Sequence, residues 1–161
     1  MGKYTLKIEY DYDFVLIGIS SHEKDYRLCW ALNKALEIEL TRTDSLEIKS
    51  KKQDTPSFFS LFKYENSDEF KEYFVLVNLS ENRPFVSKEH TLFNKGKEPS
   101  STESGILIPE HRQMDYFFVI RGEMDGVAVE NILKKLKEIE FILTAVRVDV
   151  EELKSKINLV F

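Results

Sequence analysis

Three features of the sequence predict an α+β domain: a mainly antiparallel sheet with helices packed on one face, built from two βαβ-like units related to the ferredoxin-like arrangement, plus a hairpin. Runs rich in β-branched and aromatic residues recur along the chain at strand length. Two segments carry apolar residues at steps of three and four, as amphipathic helices do. Residues 13–49 and 115–149 share a layout, each running acid, aromatic, apolar strand, helix, strand. Residue identity between these two stretches is slight, so it is the layout that repeats.

Taken in order, YTLKIEYDYDF (4–14) alternates apolar and polar positions and suits a half-buried strand. FVLIGIS (14–20) is continuously apolar, as in a strand covered on both faces. Residues 25–40 predict a helix with Tyr26, Cys29, Trp30, Asn33, Leu36 and Leu40 as its buried stripe. Strands are expected in SLEIKS from Ser45, SFFSLFKY from Ser57 and EYFVLVNLS from Glu72. The polar link 65–71 is short enough to join the last two as an antiparallel hairpin. Residues 81–105 hold Pro84, Gly96, Pro99 and SSTES among scattered apolar residues, so an irregular segment is expected there. Such segments longer than ~12–15 residues are usually mobile or functional.

DYFFVIRGE (115–123) reads as the next strand, and Asp125 as the cap of a helix over 126–140 with Val129, Ile132, Leu133, Leu136 and Ile139 on its apolar stripe. FILTAVRVD (141–149) reads as a strand. Asp149 with Glu152 has the spacing of a capping box for a short last helix. The apolar NLVF (158–161) is expected to fold back onto the sheet.

At 161 residues the chain fits one domain, since single cores span ~100–200 residues. Twelve Phe and seven Tyr imply an aromatic-rich interior. A net charge of -5 argues against nucleic acid as the partner, because gripping a phosphate backbone needs a clustered positive surface. The basic run IKSKKQ (48–53) reads as a solvated turn. A single cysteine forms neither an internal disulfide nor a thiolate cage, so Cys29 is expected to be a buried apolar residue. The first residues lack the apolar core of a signal peptide, and no apolar run approaches the ~20 residues that span a bilayer. These features predict a cytoplasmic protein without membrane contact, in which the Asn78-Leu79-Ser80 sequon stays silent.

The chemistry concentrates in ILIPEHRQMDY (106–116). Pro109 fixes its own φ and pushes Ile108 into an extended conformation. In the structural reading, Glu110 or Asp115 accepts turn N–H groups, Arg112 pairs with a carboxylate and His111 faces water. In the functional reading, Glu110 and His111 do acid–base or ligand work while Arg112 holds an anion in a bidentate fork. The structural reading is favoured, because nothing in the spacing fixes a nucleophile or second ligand. SSHEKDYR (20–27) places Ser20, Ser21 and His22 where helix N–H groups welcome an anion. Capping by Ser21 or Asp25 explains the same residues. EYDYD (9–13) sets Glu9, Asp11 and Asp13 on one strand face, but a hard cation needs more oxygens than this run aims at one point.

No Gly-rich phosphate loop, HExxH, CxxC or supported Ser-His-Asp pattern is present, so neither a cofactor nor a catalytic residue is assigned. The binding candidates are Glu110, His111, Arg112, Asp115, Ser21 and His22. The leading expectation is a non-catalytic module that binds a partner protein or its own copy. A small-anion or metabolite-sensing domain is the second, and a metal-assisted enzyme using Glu110, His111 and Asp115 the third.

Ile108-Pro109-Glu110, three residues, then Met114-Asp115-Tyr116 resembles the signature of the IPExxxVDY family, bacterial proteins of about this length from Bacteroidetes. Met114 stands where the family has Val, a mild apolar exchange. The likeness extends to YDYDF, LIGISSHEKDYRL and LNKAL in the first half, and so over most of the chain. It implies a bacterial cytosolic setting and brings no activity or catalytic residue with it.

Overall fold

A computed structural model describes residues 11–50, 55–81 and 105–161. In chain order the elements are β1 (Phe14–Ser20), α1 (Asp25–Leu36), β2 (Thr41–Arg42), β3 (Leu46–Ile48), β4 (Ser57–Phe59), β5 (Leu61–Asn66), β6 (Lys71–Val77), β7 (Tyr116–Arg121), α2 (Gly126–Lys137) and β8 (Thr144–Val148). Short 3-10 helices occupy Pro109–His111, Val150–Glu152 and Lys156–Leu159. Residues 4–10 of the strand expected at 4–14, the acid Glu9 of the cation idea, residues 51–53 of the basic run and nearly all of the irregular 81–105 lie outside the described residues.

FVLIGIS forms a central strand because both of its faces are covered. Val15, Ile17 and Ile19 point to the helical layer, where they meet Leu28, Cys29 and Leu32 of α1 and Val129, Leu133 and Leu136 of α2. Leu16 points the other way, to a layer with Phe59, Leu107, Ile108, Met114, Val150, Leu153 and Leu159. An apolar residue at nearly every position is what two buried faces require. Burying such side chains is worth ~1.5–3 kcal/mol each, so the two cores dominate the stability.

The six-stranded sheet has the order β2-β5-β6-β7-β1-β8, and every neighbouring pair is antiparallel. The sub-order β8-β1-β7-β6, with α1 and α2 on one face, is the ferredoxin-like arrangement of two split βαβ units. β3 and β4 pair separately. The repeated layout is therefore only partly realised in space. β8 follows α2 and lies beside β1, whereas β2, following α1, goes to the far edge because β5 and β6 occupy the places between it and β7.

Several boundaries differ from those the sequence suggests. α1 stops at Leu36, where Glu37 turns left-handed (φ 56°). Asn33 then accepts from Leu40 N–H and donates to its carbonyl, while Ile38 and Leu40 are buried beyond the end of the helix. The buried face of α1 is Leu28, Cys29, Ala31 and Leu32, and Tyr26 and Trp30 stand 63% exposed. SFFSLFKY breaks at Ser60, whose hydroxyl donates to Glu81 (3.0 Å), leaving β4 and β5 in different sheets. β8 begins only at Thr144, since residues before it close the turn from α2 through Ile142 N–H to Ile139 O.

Asp125 caps α2 as expected, accepting from Ala128 N–H at 2.7 Å. Asp149 accepts from Glu151 N–H (3.0 Å) ahead of a single 3-10 turn, a tighter closure than the capping box anticipated. The tail folds back: the Arg121 guanidinium lies 4.8 Å from the Phe74 ring and 4.6 Å from the Phe161 ring, and donates to the carbonyls of Phe161 (3.1 Å) and Leu159 (3.3 Å). Burial pushes the Cys29 thiol up to about 12, with the Asp25 charge adding to it, so it stays protonated and inert at neutral pH. No helix among the described residues is long and apolar enough to cross a membrane.

Candidate functional site

Asn78, just beyond β6, organises the turn that follows the irregular segment. Its backbone carbonyl accepts from Leu107 N–H (2.8 Å) and its side-chain oxygen from Ile108 N–H (2.9 Å). Its amide group donates to the carbonyls of Met114 (2.8 Å) and His111 (3.2 Å), and its own N–H donates to Asp115 O (2.9 Å). At 3% exposure, this side chain has its polar atoms fully matched, so the sequon asparagine is out of reach of a glycosyl donor in the folded chain. Ile108 is kept out of the helical region (φ -124°, ψ 87°) but falls short of the extended conformation expected before a proline, and Pro109 opens a 3-10 turn.

The two acids of the turn are structural acceptors. Glu110 takes Ser155 N–H (2.8 Å) and Ser155 Oγ–H (2.7 Å), tying the turn to the C-terminal segment. Its burial raises the carboxyl pKa, but the Ser155 hydroxyl and the backbone amides around it bring it below its ordinary value. Asp115 Oδ2 takes Ser21 N–H (2.8 Å) and Ser20 Oγ–H (3.2 Å), joining the two stretches singled out in the sequence. Tyr116 donates its hydroxyl to Glu23 O, and burial, with the nearby Asp25 and Asp115 charges, pushes that phenol up to about 12. Gly18 allows Met114 to lie over β1, since a Cβ there would stand 2.9 Å from Met114 Cγ.

Neither predicted cap sits at the start of α1. Ser21 Oγ accepts from Glu23 N–H (3.2 Å), closing a turn before the helix. Asp25 is already helical, accepts from Tyr26 N–H and pairs with Arg42 at 3.6 Å; the N-cap position falls to Lys24, which makes no side-chain cap bond. His111 does not face water with both nitrogens: its Nδ1 is buried with no partner among the described residues. The carboxylate partner expected for Arg112 is not found among the described residues; its side chain is exposed, as is that of His22.

A cleft of about 390 Å³ opens where β1 and β6 end and β7 begins. It gathers Ser21, His22, Arg112 and Asp115 onto one lining, over a wall that includes Val77, Leu79, Ile106 and Met114. Glu110 and His111 are not on it. Three stretches of sequence thus make one concavity, while of the two candidates off it Glu110 is tied to Ser155 by hydrogen bonds and His111 has its Nδ1 buried. Asn78 was missed, and its one sequence signal is an amide letter inside the apolar run EYFVLVNLS. Among the described residues no group of three or more His, Cys, Asp or Glu is placed to hold a metal ion. No family model, curated protein or solved structure matches the chain.

Proposed function

We propose that this chain is a non-catalytic module that binds another polypeptide, either a partner protein or a second copy of itself. The observation that carries the proposal is on α1, where Tyr26 and Trp30 stand one turn apart on the solvent side, each 63% exposed. Lys34 lies 5.5 Å from the Trp30 ring centre, and Arg27 flanks the pair. Trp, Tyr and Arg are the side chains that dominate binding energy at protein interfaces, because they bury much apolar area with few torsions to freeze. Membership of the IPExxxVDY family and a bacterial cytoplasmic setting belong to the same proposal. In its support, the signature letters Ile108, Pro109, Glu110, Asp115 and Tyr116 each have a packing or hydrogen-bonding task in one corner.

The test is native mass spectrometry of the chain recovered gently from its own cells, beside a Tyr26→Ser/Trp30→Ser variant. A heavier species, a dimer or a complex with another polypeptide, is expected for the wild type and lost in the variant at unchanged Tm. A bare monomer in both preparations overturns the proposal.

A second reading, a small-anion-sensing domain, is favoured by the cleft and by Arg112 at its rim without an ion pair among the described residues. The metal-assisted enzyme is the weakest reading, since Ser155 engages both oxygens of Glu110, Ser20 and Ser21 engage one of Asp115, and Glu110 and Asp115 face different surroundings, Asp115 alone lining the cleft.

A further inference from the structure

We infer that the cleft between the β1–α1 turn and the 106–116 turn takes a small carboxylate with an apolar tail, its carboxyl held by Arg112. The inference rests on the small-anion reading and names the ligand class. The volume, about 390 Å³, lies within the ~300–1,000 Å³ of small-molecule sites.

The charges at the rim are unequal in their commitments. Asp115 takes two donors through one oxygen, and Glu23 pairs with Arg27 at 3.3 Å. Arg112 has no such partner among the described residues, so its guanidinium is a full charge at the rim left without an ion pair. A guanidinium matches a carboxylate with two parallel N–H···O bonds. The wall beneath is apolar: Leu79 is 55% exposed and Met114 and Ile106 adjoin it. A fully hydrated anion such as phosphate would leave that surface wet, whereas an alkyl tail removes it from water at ~25 cal/mol per Å². Asn78 adds no polar demand on the ligand, because the polar atoms of its side chain are satisfied within the protein.

Octanoate, acetate and 1-octanol are the probes, each titrated into the ¹⁵N-labelled full chain and followed by amide shifts. Octanoate is expected to move Leu79, Ile106 and Met114 and to bind at least tenfold tighter than either control. Arg112→Ala is expected to weaken octanoate at least tenfold, and Arg112→Lys to recover part of that loss; the exposed position lets both variants fold. Octanol binding as tightly as octanoate, or an unchanged octanoate affinity in Arg112→Ala, overturns the inference. Acetate matching octanoate overturns the apolar part and leaves the small-anion reading standing, while no shift with either carboxylate ends both.

Discussion

Asn78 sends both amide hydrogens to carbonyls of the 106–116 turn and takes the Ile108 N–H, so an alanine there strands the Met114 carbonyl and the Ile108 N–H in a buried corner, while the His111 carbonyl keeps Met114 N–H. Each such group costs ~1–3 kcal/mol when left unmatched. Asn78→Ala is expected to lower the unfolding free energy by about 3 kcal/mol or more in urea denaturation, and a loss under 1 kcal/mol would show that water replaces the amide. Glu110 offers a pH test. Its folded-state pKa is lowered, so its contribution is complete above the unfolded value of ~4.3 and is lost as pH falls through the folded one. Glu110→Gln or Ser155→Ala is expected to flatten that part of the acid side of a stability-versus-pH profile. That Glu110 and Asp115 accept hydrogen bonds was legible from their positions bracketing a polar turn, but their donors are Ser155 and Ser20 with Ser21 on other segments, not the N–H groups of the turn itself. The partners of Asn78 were not, because they lie 30 and more residues away in sequence and only the assembled sheet brings them close.

At the scale of elements, periodicity located β1, β7 and both helices, and misjudged which way α1 faces. Its twelve residues carry two apolar stripes, and counting aromatics favours Tyr26 and Trp30. Packing against β1 instead selects the smaller Leu28, Cys29 and Leu32, which fit between α1 and the sheet. The break at Ser60 was equally hidden, since its cause is Glu81, a residue on another segment that also bonds Arg42 and Ser45. Cation–π contacts are worth ~0.5–1 kcal/mol at exposed sites and more when dry, and Arg121 makes two of them besides its hydrogen bonds to the tail. Arg121→Ala is therefore expected to cost about 2 kcal/mol and to speed hydrogen exchange at the Asn158 and Val160 amides at least tenfold. Unchanged exchange at those amides would mean that Leu159 burial alone holds the segment.

For the whole molecule, the layout of the sequence predicted an antiparallel sheet with helices on one face, and that is the architecture found. Strand order was beyond it: nothing in residues 13–49 announces that β5 and β6 will displace β2 to an edge. The same order has a temporal meaning. β1 precedes every other described strand in the chain, yet its two neighbours are β7 and β8, with Leu16 paired to Val119 on one side and Val148 on the other. At ~5–20 residues per second, FVLIGIS waits on the order of ten seconds before the strands that cover its edges exist. The nascent chain thus carries a sticky seven-residue segment until β7 and β8 have both been made, so the sheet around it cannot close before residue 148 is synthesised.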